Sequence, residues 1–82
     1  MVGSDLEKEL LEETLKWLKR AEEAFSGIKS TSNPRFVENI EAYLKDSKYF
    51  LEKKDLIRAF ECVIWAWAWM EIGEEVGLIL RS

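Results

Sequence analysis

Apolar residues recur at helical spacing in three successive stretches, separated by two short polar breaks. In the first stretch Leu10, Thr14, Trp17, Ala21, Ala24 and Ile28 form one stripe, which Leu11, Leu15, Leu18 and Phe25 widen. Ser4-Asp5-Leu6-Glu7 reads as a capping box: the serine hydroxyl accepts from a first-turn amide while Glu7 reaches back. Gly27 suits a left-handed C-terminal cap. The pattern predicts a first helix over about residues 4–27. Residues 28–33 are a polar connector, and Asn33-Pro34 then opens a second helix, with asparagine as N-cap and proline in the first turn. Its core stripe is Phe36, Ile40, Tyr43, Ser47 and Phe50, with Val37, Leu44 and Leu51 alongside and the phenols of Tyr43 and Tyr49 at the edge. This helix is expected over 34–53. Lys53-Lys54 makes a short turn, and Asp55 caps a third helix over 55–77.

The third stretch differs from the other two. Residues 62–70, Cys-Val-Ile-Trp-Ala-Trp-Ala-Trp-Met, are nine apolar residues without a break. At about 100° per residue, Leu56, Phe60, Val63, Trp67 and Met70 share one face, while Trp65, Trp69, Ile72 and Val76 make a second. A helix apolar all round must be covered all round. The chain is therefore expected to fold as one all-α domain over residues 1–82, an antiparallel three-helix bundle with the third helix central and apolar on two faces. Two neighbours suffice to cover the Trp67 face. The Trp65, Trp69, Ile72 and Val76 face has three possible covers: the first helix, a second copy of the chain, or a helix, peptide or apolar ligand in an open groove. The second copy is the expectation carried forward, as a homodimer, with an unidentified protein partner as the variant. Gly73 and Gly77 either thin the helix for a neighbour or end it, and Leu78-Ile79-Leu80 is an apolar tail that needs a surface to lie on.

The run Tyr49-Phe50-Leu51-Glu52-Lys53-Lys54-Asp55-Leu56-Ile57-Arg58-Ala59-Phe60-Glu61, followed by Trp65-Ala66-Trp67-Ala68-Trp69-Met70-Glu71 with Gly73, Gly77 and Leu78, resembles the archaeal domain of unknown function 357. The family pattern has glycine where this chain has Lys54 and Ala68, and aspartate where it has Glu71. The resemblance implies a small all-helical archaeal protein, and it supplies no activity from which a catalytic residue could be carried over. The second hairpin also resembles one tetratricopeptide-type helix pair, although an array needs about three such units. A likeness to the helix pairs of prokaryotic nucleotide-binding and ribonuclease helical domains fails on histidine, because the chain has none.

Composition narrows the chemistry further. Without histidine, imidazole acid–base work and His-containing zinc sites are ruled out. Cys62, the single cysteine, excludes an internal disulfide and reads as a small buried hydrophobe. Lys29-Ser30-Thr31 after Gly27 lacks the second glycine and the preceding strand of a phosphate loop. Glu71, Glu74 and Glu75 have the hard oxygen ligands a cation such as Mg²⁺ takes, but one helix supplies all three, and a solvated face is the expectation. No metal, cofactor or catalytic residue is expected. Net charge is −4, which argues against nucleic acid as a partner. The charge is uneven: residues 28–54 carry six bases and four acids, between acidic flanks. Lys45, Lys48, Lys54 and Arg58 near the second turn are the candidate anion-binding residues of the alternative reading, in which a nucleotide or RNA phosphate is the ligand. The glutamate- and lysine-rich composition leans toward a thermophilic source. The apolar run is shorter than the roughly 20 residues a membrane span needs, so a cytoplasmic protein is expected.

Overall fold

The computed structural model describes residues 2–81, and side chains from residue 5 onward. Three helices and two short strands follow in the order α1 (Val2–Ser26), β1 (Ile28–Thr31), α2 (Pro34–Glu52), α3 (Leu56–Glu75) and β2 (Ile79–Arg81). The molecule is elongated, 49 × 19 × 17 Å. α3 lies between α1 and α2 and packs on both, whereas α1 and α2 touch sparsely.

Helix ends follow the local chemistry. Asn33 caps α2, its side chain accepting from the Phe36 N–H at 3.2 Å, with Pro34 at the first helical position. Asp55 caps α3 by accepting from the Arg58 N–H at 3.2 Å. α2 ends in a Schellman motif: the Asp55 N–H donates to the Phe50 carbonyl at 2.9 Å and the Lys54 N–H to Leu51 at 3.0 Å. Lys54 takes the left-handed position, φ 60°. α3 ends in the same way around Gly77, φ 81°, with Leu78 donating to Gly73 at 2.8 Å and Gly77 to Glu74 at 3.2 Å. Gly77 therefore stops the helix at Glu75, two residues before the expected end.

Three further expectations need correction. The helical backbone of α1 begins at Val2, so Ser4 lies inside the helix; its side chain, and with it the capping box, falls outside the described residues. Gly27 follows α1 without a positive φ, its N–H donating to Ala24 at 3.1 Å, so it is not the left-handed cap. The connector and the tail are strands. β1 and β2 pair antiparallel, Thr31 opposite Ile79 and Ser30 opposite Leu80, with an irregularity between Ile28 and Ser30. Thr31 Oγ1 also donates to the Leu78 carbonyl at 2.8 Å. The tail thus finds its surface on β1 and sends Ile79 into the core.

That core is Leu18, Ala21, Ile40, Leu44, Val63, Ala66, Met70 and Ile79, all buried. Small residues set how near α3 comes to its neighbours. Ala59 and Ala66 are fully buried, and Ser47 Oγ donates 2.8 Å to the Ala59 carbonyl, tying α2 to α3. At Gly73 an added Cβ would stand 2.5 Å from Phe36 Cε2 and 3.2 Å from Ile79 Cγ1, so α2, α3 and β2 converge where no side chain fits.

Candidate functional site

α3 has two helical neighbours and four apolar directions. Toward the core it presents Ala59, Val63, Ala66, Met70 and Gly73, all buried. Toward α1 it presents Trp67, whose ring meets Trp17 edge-on at 6.2 Å and whose Nε1–H donates 3.3 Å to the Trp17 carbonyl. Toward α2 it presents Trp69, edge-on to Phe36 at 5.5 Å. The direction away from all of these remains uncovered. There Ile57 is 67% exposed, Ile64 47%, Trp65 53%, Ile72 48% and Val76 62%. Half-buried Ala68 lies among them.

The four residues singled out from sequence are thus not equivalent. Trp65, Ile72 and Val76 lie on the open ridge. Trp69 is half-buried against α2, and its buried indole N–H has no acceptor among the described residues. Trp65 is steadied rather than covered by Tyr43, with rings stacked at 6.4 Å and 20°. Ile57 and Ile64 belong to the ridge and were not singled out. Their signal was available: they are seven residues apart and share one bearing, but the unbroken apolar run hid which members faced outward.

Ridge and flanks carry charge. Glu61, Glu71 and Glu75 are exposed, and Arg58 stands at the α3 start. Its Nη1 donates 2.7 Å to Asp55 Oδ2. This guanidinium contact, with the Arg58 backbone N–H, holds the Asp55 carboxyl below its ordinary pKa. Arg81 Nη2 donates 2.7 Å to Glu74 Oε1, which lowers the Glu74 pKa in the same manner, and the Arg81 guanidinium lies 5.9 Å over the Trp67 ring. This straps β2 to the end of α3. Burial pushes the half-buried Cys62 thiol up, and Asp46 and Glu61 add to the effect.

The basic residues do not gather in one place. Lys45 and Lys48 line a cleft of about 230 Å³ between α1 and α2 together with Glu22 and Glu41, and Lys48 is paired with Glu22. Lys54 lines another cleft, of about 470 Å³, at the bundle end with Leu6, Leu10, Lys53, Leu56 and Ile57. Arg58 is held by Asp55. Acidic partners therefore sit beside most of these cations. Among the described residues, no three His, Cys, Asp or Glu side chains are placed to hold a metal ion. No helix of the described residues is long and apolar enough to cross a membrane.

Comparison with known proteins supports this architecture. The family model described as "Protein of unknown function (DUF357)" matches residues 8–79. The crystal structure of protein AF1782 from Archaeoglobus fulgidus, itself assigned to DUF357, is similar at 60% identity and a TM-score of 0.86, covering 94% of this chain and 99% of that one. No curated protein matches. The chain belongs to the DUF357 family.

Proposed function

We propose that this DUF357 protein is a non-enzymatic helical interaction module that self-associates through the outward face of α3. The observation that carries the reading is the ridge of Ile57, Ile64, Trp65, Ile72 and Val76, each about half exposed or more, along one side of the central helix. Large aromatic and aliphatic side chains contiguous on a surface mark an interaction site in a soluble protein. The ridge favours a helix as its cover: it runs the length of α3 and has Ala68 half-buried between Trp65 and Ile72. A second copy supplies a helix of matching length and apolarity, and a twofold pairing lets the same face serve both sides. The dispersal of the cluster and the pairing of Lys48 with Glu22 and of Arg58 with Asp55 make this reading stronger than anion capture.

Sedimentation equilibrium tests it. The wild type is expected to be a dimer, and a Trp65→Glu/Ile72→Glu variant a monomer with unchanged helical circular dichroism. Both side chains are about half exposed, so the fold is expected to survive their replacement. A wild type that stays monomeric at high concentration would sink the proposal.

A further inference from the structure

We infer that two copies pair through antiparallel α3 helices in one defined register, with Trp65 of each copy over Ala68 of the other and Arg58 of each against Glu75 of the other. The inference rests on the self-association reading above and adds its geometry.

Along the outward face of α3 one row repeats at alternating spacings of three and four, Arg58, Glu61, Trp65, Ala68, Ile72 and Glu75, with Ile57, Ile64 and Val76 on its flanks. That spacing is the one at which two helices interlock along a seam, here with an apolar centre (Trp65, Ala68, Ile72) and charged ends. A parallel pairing sets each layer against itself. Arg58 would then face Arg58, Glu61 face Glu61 and Glu75 face Glu75, with the helix dipoles aligned as well. Three like-charge layers out of six disfavour it.

Antiparallel pairing brings the two kinds of seam position opposite each other, which leaves registers one heptad apart. In the first, Trp65 opposes Ala68, Arg58 opposes Glu75 and Glu61 opposes Ile72. Sliding one heptad either way sets Trp65 opposite Glu75 or opposite Glu61. The first register puts the largest side chain of the seam over the smallest. It also places the seam's lone cation at the acidic C-terminal turn of the facing helix, where the dipole favours positive charge. Its twofold axis passes between Ala66 and Trp67, about one residue from the middle of α3 (Leu56–Glu75), so overlap is nearly maximal. Size, charge and overlap select the same register independently. Tyr43, stacked on Trp65 from α2, limits the indole's freedom before the second copy arrives.

Charge reversal tests the register separately from the interface. Arg58→Glu alone sets two glutamates opposite each other, and Glu75→Arg alone sets two arginines opposite each other. Each is expected to raise the dimer dissociation constant about tenfold or more by like-charge contact at both ends. The double variant Arg58→Glu/Glu75→Arg should return to near the wild-type value. The decisive sample is an equimolar mixture of the two single variants, which should form a heterodimer, because every facing pair is then opposite in sign. Circular dichroism of each variant checks that α3 is intact, and Arg58→Gln separates loss of the Asp55 contact from reversal. If both single variants dimerise as the wild type does, or their mixture shows no preferential heterodimer, while Trp65→Glu/Ile72→Glu still gives monomers, the register is wrong and the face is right. A monomeric wild type overturns both.

Discussion

Lys54 occupies the left-handed position of the Schellman motif that closes α2, at φ 60°, where its Cβ crowds the backbone. Glycine meets the same requirement without that crowding. Lys54→Gly is expected to stabilise the fold by up to about 1 kcal/mol, read as a higher denaturation midpoint at unchanged slope. Asp55, the next residue, bonds both the backbone N–H and the guanidinium of Arg58. Because its folded pKa is lowered, its contribution is complete above the ordinary carboxylate range and is lost as pH falls through the lowered folded value. The gap in Tm between wild type and Asp55→Ala should therefore be constant above about pH 5 and close on further acidification. A gap that widens in acid would contradict the contact. Cys62 illustrates the opposite shift: burial and nearby acids raise its thiol, so an aromatic disulfide reagent at neutral pH should label it more slowly than a small free thiol.

At the scale of elements, α2 and α3 were legible because their ends are written locally. Asn33-Pro34 and Asp55 are caps whose chemistry needs only the next three residues. The strands were not legible for the converse reason. Ile28–Thr31 holds one large apolar residue, and its partner Ile79–Arg81 lies beyond two helices, so nothing within either segment announces the pairing. The end of α1 was misread because a glycine after a helix is permitted, not compelled, to turn left-handed, and Gly27 does not. In the candidate site, the exposure of Trp65 and the coverage of Trp67 follow from which neighbours α3 has. The half-burial of Trp69 depends on where Phe36 lies, and spacing within α3 does not contain that. Gly73 marks the point where α2, α3 and β2 meet. Alanine there gains about 1 kcal/mol of helix propensity but drives a methyl into the Phe36 ring and Ile79. Overpacking typically costs about 1–3 kcal/mol, so Gly73→Ala should lower Tm on balance. An unchanged or raised Tm would mean that Phe36 swings away without loss.

At the scale of the whole molecule, charge and apolarity oppose each other in assembly. Each copy carries −4, and the outward side of α3 adds three exposed glutamates against Arg58. Two copies therefore repel at distances where the apolar ridge exerts no pull. Added salt screens this repulsion, with a Debye length falling from about 30 Å at 0.01 M to about 8 Å at 0.15 M. The same salt weakens the Arg58–Glu75 contacts, but exposed pairs contribute about 0–1 kcal/mol each, and burial of Trp65 and Ile72 is insensitive to screening. The long-range term should dominate at low ionic strength. The dimer dissociation constant is accordingly expected to fall several-fold between 0.01 and 0.15 M salt and then to level off, as followed by sedimentation equilibrium. The charge-swapped double variant has the same net charge and should trace the same curve. Association that weakens steadily with salt would identify charge pairs, and not the tryptophan ridge, as what holds the copies together.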